Sequence, residues 1–243
     1  MTGAHRAALA AALLALLPAA ASAHGGKVEP LPYLEIVTGG ASADAALPLI
    51  IALHGRGDTA EGFAQLFRAL PVPVRVAILR PPHPWGSGQA WFMEAQAHLE
   101  NRPATAVELL HLAHRVAATA DEIRAARPTR GRPIVIGFSQ GGMLAWAVAV
   151  AHPRAIAAAF PIAGFLFPEV LPQIRLDARA MPPIVAFHGD ADPLVPLGED
   201  RKGIQALAKR GVHAELIVFP GVRHEIPPEM RDKLFMLVRA LPR

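Results

Sequence analysis

The stretch Ile134-Val135-Ile136-Gly137-Phe138-Ser139-Gln140-Gly141-Gly142-Met143-Leu144-Ala145-Trp146 decides how this chain folds. Three β-branched residues form a short apolar run without alternation, as expected of a strand covered on both faces. From Met143 the pattern turns helical. Between them lies Gly-x-Ser-x-Gly, which reads as a sharp strand-to-helix turn. A serine on such a turn is strained, and the residues two before and two after it must lack bulk where backbones approach. The turn lifts the hydroxyl above the sheet and aims the Gln140 N–H, with a helix N-terminus behind it, at a developing oxyanion. With four serines and 20 glycines in 243 residues, glycines fall at this spacing around some serine by chance in about 3% of such chains. Ser87, in Gly86-Ser87-Gly88, has the wrong spacing and no strand leading into it, and reads as loop.

Outward from this turn, apolar runs of strand length alternate with amphipathic segments of helix length. The expected strands are Leu34–Thr38, Leu49–Leu53, Val74–Leu79, Ile134–Gly137, Ala157–Pro161, Ile184–Phe187 and Glu215–Phe219. The expected helices are Thr59–Leu70, Ala104–Ala126, Gly141–Ala151, Leu197–Arg210 and Pro228–Leu241, with Pro128, Gly131 and Pro153 as terminators. This alternation predicts an α/β class with a mainly parallel sheet and helices on both faces. Ligands of such sheets bind outside the carboxyl ends of the strands. The residues there therefore matter most.

Serine is a weak nucleophile until a base takes its proton, and the base needs a carboxylate to hold its tautomer. On a strand-turn-helix serine the acid and then the histidine follow, each after a later strand. His224 follows Glu215–Phe219 through Pro220-Gly221-Val222-Arg223, just before the last helix, as required. His152 sits at the end of the helix after the serine, His188 at the end of a strand, and His213 at the wrong edge of the sheet. For the acid, Asp190 and Asp192 both qualify by spacing after Ile184–Phe187. Asp192 lies further out and precedes Pro193, which favours it, while Asp190 suits a turn-ordering role. Glu225 is a third choice. The second oxyanion donor is expected in His54-Gly55-Arg56-Gly57-Asp58, after Leu49–Leu53, as the backbone N–H of Arg56.

The N-terminus carries a different signal. After His5 and Arg6 comes an uncharged Ala/Leu run to Ala21, then Ala21-Ser22-Ala23. A basic start, an apolar stretch of about 15 residues and small residues at its end predict a secretory signal over 1–23, cleaved near Ala23. An uncleaved anchor is the alternative, although a span needs about 20 apolar residues. One domain is then expected over 24–243, in the periplasm or outside the cell, with no stable membrane insertion. Residues 24–243 hold 23 basic and 20 acidic side chains, too mild an excess for a nucleic-acid surface. With no cysteine there is no thiol nucleophile and no cysteine metal site. His111 and His114 have a metal-like spacing on a helix but lack a third ligand nearby, so neither metal nor cofactor is expected.

With these pieces in order, the chain resembles the phospholipase/carboxylesterase family, which includes acyl-protein thioesterases. The matching stretches are Leu53-His54-Gly55-Arg56-Gly57-Asp58, Ala90-Trp91-Phe92, Gly137-Phe138-Ser139-Gln140-Gly141-Gly142, Ala163-Gly164-Phe165-Leu166, His188 through Pro196, and Gly221 through Ile226. They run in the family's order across roughly residues 31–241, and Gly-Phe-Ser-Gln-Gly-Gly is the most specific. The resemblance implies an α/β-hydrolase fold and a Ser139, Asp192, His224 triad, with the Arg56 and Gln140 N–H groups as oxyanion hole. It implies a small-molecule ester substrate, with a thioester or lysophospholipid as the alternative. Trp91, Phe165 and Leu166, on loops after strands, are the candidate acyl-binding wall. The chain departs from the family in its export signal, in Ala163 where serine is common, and in the Pro/Gly-rich Pro81–Gly88 stretch. Gly164–Pro183, about 20 residues, is too short for a helical cap, so an open pocket for short to medium acyl chains is expected.

Overall fold

Nine strands and five α-helices are laid out in the computed structural model, which describes residues 28–93 and 102–241. The secretory signal expected over residues 1–23 lies outside the described residues. In chain order the elements are β1 (Tyr33–Val37), β2 (Leu47–Leu53), α1 (Ala60–Arg68), β3 (Arg75–Leu79), β4 (His83–Trp85) and β5 (Gly88–Ala90). Next come α2 (Arg102–Ala126), β6 (Thr129–Phe138), α3 (Gln140–Ala151), β7 (Ala158–Ile162), β8 (Val185–Gly189), α4 (Leu197–Ala208), β9 (Glu215–Phe219) and α5 (Pro228–Ala240).

Seven strands form one sheet in the order β1-β3-β2-β6-β7-β8-β9. Only β1 runs antiparallel to its neighbour; every other pairing is parallel. This is the mainly parallel α/β sheet expected from the alternation of elements, in keeping with the α/β-hydrolase fold that the resemblance implies. Side chains alternate across the sheet, so Leu49, Ile51 and Leu53 of β2 enter one core while Ile50 and Ala52 enter the other. The first core is closed by α2 and α3 (Leu109, Val116, Trp146), the second by α1 and α5 (Phe63, Phe67, Leu234). Because α3 runs beneath the centre of this assembly, every residue from Gln140 to Val150 is buried. Its apolar residues therefore encircle the helix instead of marking one stripe.

Two departures from the sequence expectation have local causes. β6 begins at Thr129, not Ile134, because Thr129 and Arg130 pair with Leu47 and Pro48 of β2. That extension is made by the backbone while Arg130 and Arg132 stay exposed, so no apolar run marks it. Ser87, read as loop, sits in the turn of the antiparallel hairpin β4–β5, which begins in the Pro/Gly-rich Pro81–Gly88 stretch and runs to Ala90. The hairpin is only three residues per strand, with Pro84 inside it. Gly164–Pro183 holds two short 3-10 turns, Pro168–Gln173 and Ala178–Ala180, and no α-helix.

Candidate active site

Ser139 stands between β6 and α3 with φ 56° and ψ −120°, a left-handed conformation that a non-glycine residue adopts only under constraint. Two backbone hydrogen bonds supply that constraint: Ser139 N donates to Ile162 O (2.9 Å) and Met143 N to Ser139 O (3.0 Å). The glycines leave room for the turn. A Cβ on Gly137 would lie 2.0 Å from Gly141 O, and one on Gly141 would lie 2.0 Å from Leu53 O. Both distances are far inside van der Waals contact, so neither position tolerates a side chain.

The serine meets the two partners expected for it. Ser139 Oγ lies 2.9 Å from His224 Nε2, and His224 Nδ1 lies 2.6 Å from Asp192 Oδ2. The Phe138 ring packs on the imidazole at 4.9 Å between centroids, which limits its rotation. Asp192 has no exposed side-chain surface, while His224 retains 13%. The second Asp192 oxygen, Oδ1, accepts from Leu194 N (2.8 Å) and Val195 N (2.9 Å). Burial by itself pushes the Asp192 carboxyl up. The hydrogen bonds from His224, Val195 and Leu194 outweigh it and hold the group below the ordinary carboxylate range.

Asp190 is not in this chain of contacts. Its Oδ1 accepts from Gly221 N (2.7 Å), and its own N–H donates to Phe219 O (3.2 Å). Ala191 N donates to Val222 O (3.1 Å), so the loop after β8 is laced to the loop after β9. This lacing brings Asp192 and His224 into register. Glu225 is exposed.

Of the two expected oxyanion donors, Gln140 opens α3 and Arg56 lies on the loop after β2, where a Cβ on Gly55 would lie 3.3 Å from Ser139 Cβ. Gln140 follows the serine directly, and the stretch around Arg56 leaves β2 beside β6. The hairpin braces the Arg56 loop: Gly57 N donates to Gln89 O (2.8 Å) and Gln89 N to Asp58 O (3.0 Å). The Arg56 guanidinium lies over the Trp85 ring at 4.8 Å.

The expected acyl-binding wall requires correction. Trp91, Phe165 and Leu166 expose at most 1% of their surface and belong to the core. Trp91 points inward because its indole N–H donates to His54 O (2.8 Å). Phe165 stacks on Phe167 at 4.6 Å beneath the Arg102 guanidinium. Leu166 packs against Gly203 of α4. Loop position suggested access, but a loop that folds back on the sheet buries its apolar side chains.

The sequence reading missed the side chain of Gln140. Its Oε1 accepts from Trp91 N (3.0 Å) and its Nε2 donates to Phe92 O (3.0 Å), both bonds buried. The residue next to the serine therefore clamps the exit of β5. A buried His188–Asp200 pair beside Asp192 was also missed. His114 of α2 has a partner beyond its helix, its Nδ1 lying 2.8 Å from His152 Nε2.

Comparison with known proteins bears on the fold and the family. The chain is 28% identical over 190 residues to a probable inactive carboxylesterase of Oryza sativa subsp. japonica, covering 73% of this chain and 78% of that one. It is 30% identical over 207 residues to a probable carboxylesterase of the same organism, covering 78% and 86%. Among solved structures, esterase PE8 superposes with a TM-score of 0.71 at 24% identity, covering 88% of this chain and 100% of that one. The profile of the phospholipase/carboxylesterase family matches residues 33–239, and the chain belongs to that family.

Proposed function

We propose that the protein is a serine esterase that hydrolyses carboxylic esters through an acyl-enzyme. The observation that carries this reading is the unbroken contact chain Ser139 Oγ–His224 Nε2 (2.9 Å) and His224 Nδ1–Asp192 Oδ2 (2.6 Å) on a strained strand-to-helix turn. One relative is described as inactive, so activity has to rest on this chain's own residues and not on family membership alone.

In the forward step His224 Nε2 accepts the Ser139 proton as Oγ attacks the ester carbonyl. The charge that develops on the carbonyl oxygen is held by the Arg56 and Gln140 N–H groups. Collapse of the tetrahedral species expels the alcohol, which takes its proton from His224. Water then enters, gives its proton to His224 and attacks the acyl-enzyme, and the acid leaves as Ser139 recovers its hydrogen. Asp192 stays ionised throughout and holds Nδ1 as the N–H donor. A thioester offers the same carbonyl to the same residues, so the natural leaving group is a matter for assay.

A panel of p-nitrophenyl esters from acetate to palmitate, with matched thioesters, on wild type and Ser139→Ala tests the proposal. Activity lost in the variant, with best turnover on short or medium acyl chains, is the expected result. Equal rates for the two proteins would sink it. Export is part of the same proposal, supported by the apolar run and small residues of positions 7–23. N-terminal sequencing of the secreted or periplasmic protein should begin near His24, and an intact Met1 there counts against it.

A further inference from the structure

Directly behind the acid lies a second titratable pair, made by His188 of β8 and Asp200 of α4. His188 has no exposed side-chain surface and Asp200 only 1%. His188 Nδ1 lies 3.1 Å from Asp200 Oδ2, and His188 Nε2 lies 2.9 Å from Val195 O. A carbonyl oxygen only accepts, so Nε2 carries a hydrogen. Nδ1 faces a carboxylate. With Asp200 ionised, Nδ1 donates as well and His188 is an imidazolium.

On the His188 side the surroundings favour that state. His188 Nε2 is also 3.7 Å from Asp192 Oδ2, the oxygen that grips His224. Burial disfavours a charge on His188 most strongly, but Asp200, the Val195 carbonyl and Asp192 outweigh it and raise its pKa above the ordinary histidine value. Asp200 on α4 and Asp192 on the loop are the charged groups that act on the ring among the described residues. The neighbouring strand β9 presents Val218 opposite it. Burial raises the Asp200 carboxyl above its ordinary value, while His188 and the Trp146 indole of α3 draw it down. Val195 joins the two sets, since its N–H holds Asp192 Oδ1 while its carbonyl accepts from His188.

A buried ion pair is a poor way to stabilise a core, because desolvation offsets most of the attraction. This one touches the acid instead. We propose that His188 and Asp200 are positioning residues for catalysis, forming an imidazolium–carboxylate pair that braces the Val195 peptide and sets positive charge against Asp192. The brace keeps Asp192 ionised and oriented toward His224 Nδ1. The inference rests on the triad reading given above.

The test combines ring protonation with kinetics. In ¹⁵N-resolved NMR of the wild type at about pH 8, His188 should carry hydrogens on both nitrogens, and in Asp200→Asn on one only. On a single ester, Asp200→Asn and His188→Gln should each lower kcat about ten-fold with KM within about two-fold. Both should also move the acid limb of kcat/KM to higher pH. Losing positive charge beside Asp192 leaves more negative potential on His224, which then holds its proton more tightly. A purely structural pair would lower thermal stability and leave that limb in place. A neutral His188 ring in the wild type at about pH 8 overturns the proposal, as does an unmoved acid limb with unchanged kcat in folded variants. If neither variant folds, the wild-type spectrum decides alone. Ser139→Ala separates the two readings. Activity retained there refutes the triad itself, whereas activity lost there with an unmoved acid limb in Asp200→Asn refutes only the pair's role.

Discussion

Replacing Asp192 by Asn should abolish most turnover while leaving the fold intact, and the hydrogen bonds around the residue give the size of the effect. Asp192 Oδ1 accepts from the Leu194 and Val195 N–H groups at 2.8 and 2.9 Å, and Oδ2 faces His224 Nδ1 at 2.6 Å. An asparagine can keep its oxygen on the two backbone donors only by turning its NH2 toward Nδ1. The reverse orientation sets NH2 against two N–H donors and forfeits both bonds, roughly 1 kcal/mol each before the desolvation penalty. The first orientation therefore prevails. It makes Nδ1 an acceptor and moves the ring hydrogen to Nε2, where it points at Ser139 Oγ and leaves no lone pair to take the serine proton. The wrong tautomer in a serine triad lowers kcat about 10⁴-fold, equivalent to about 5.5 kcal/mol of barrier. Steady-state hydrolysis of a p-nitrophenyl ester by Asp192→Asn and Asp190→Asn measures it, with circular dichroism to check the fold. Asp190→Asn keeps the oxygen that accepts from Gly221 N and should stay within about three-fold of wild type. A large loss from Asp190→Asn, or a change of less than about ten-fold from Asp192→Asn, would refute the reasoning.

Four further outcomes follow from contacts in the structure. Gln140→Ala leaves the Trp91 N–H and Phe92 carbonyl buried without partners and should reduce the unfolding free energy in urea by about 2–5 kcal/mol. A loss below about 1 kcal/mol would mean the clamp is replaced by water or by rearrangement. Arg56→Leu should leave kcat on a neutral ester within about three-fold, since only the backbone N–H is used, and a larger fall would bring the side chain into the chemistry. Glu35→Ala strips the carboxylate from fully buried Arg75 and should cost about 3 kcal/mol by thermal or chemical denaturation. Because Asp192 is held below its unfolded value of 3.8, its contribution to stability is complete above that pH and lost as pH falls toward the folded value. The Tm gap between wild type and Asp192→Asn should therefore narrow on acidification below about pH 4, and a gap that widens contradicts the direction of that shift.

What the sequence determined by itself was whatever is encoded between near neighbours. Gly137 and Gly141 were legible as glycines because the turn they flank is local, and the structure adds only that they meet Gly141 O and Leu53 O. β9 falls at Glu215–Phe219 as expected, since a short apolar run bounded by Gly211 and Pro220 admits few other readings. The order serine, acid, histidine was legible for a related reason. In a parallel sheet each of these residues leaves the carboxyl end of its own strand, so strand order alone carries them to one edge. Tertiary structure alone decided which partner each group takes. Nothing near Gln140 in the chain announces that its amide closes on Trp91, 49 residues away. His188 was legible only as a strand end, because Asp200 reaches it from α4 and Asp192 from the loop between. Trp91, Phe165 and Leu166 lie on segments that read as loops, yet all three are core. Burial depends on what folds over a residue, and periodicity reports only the element that carries it.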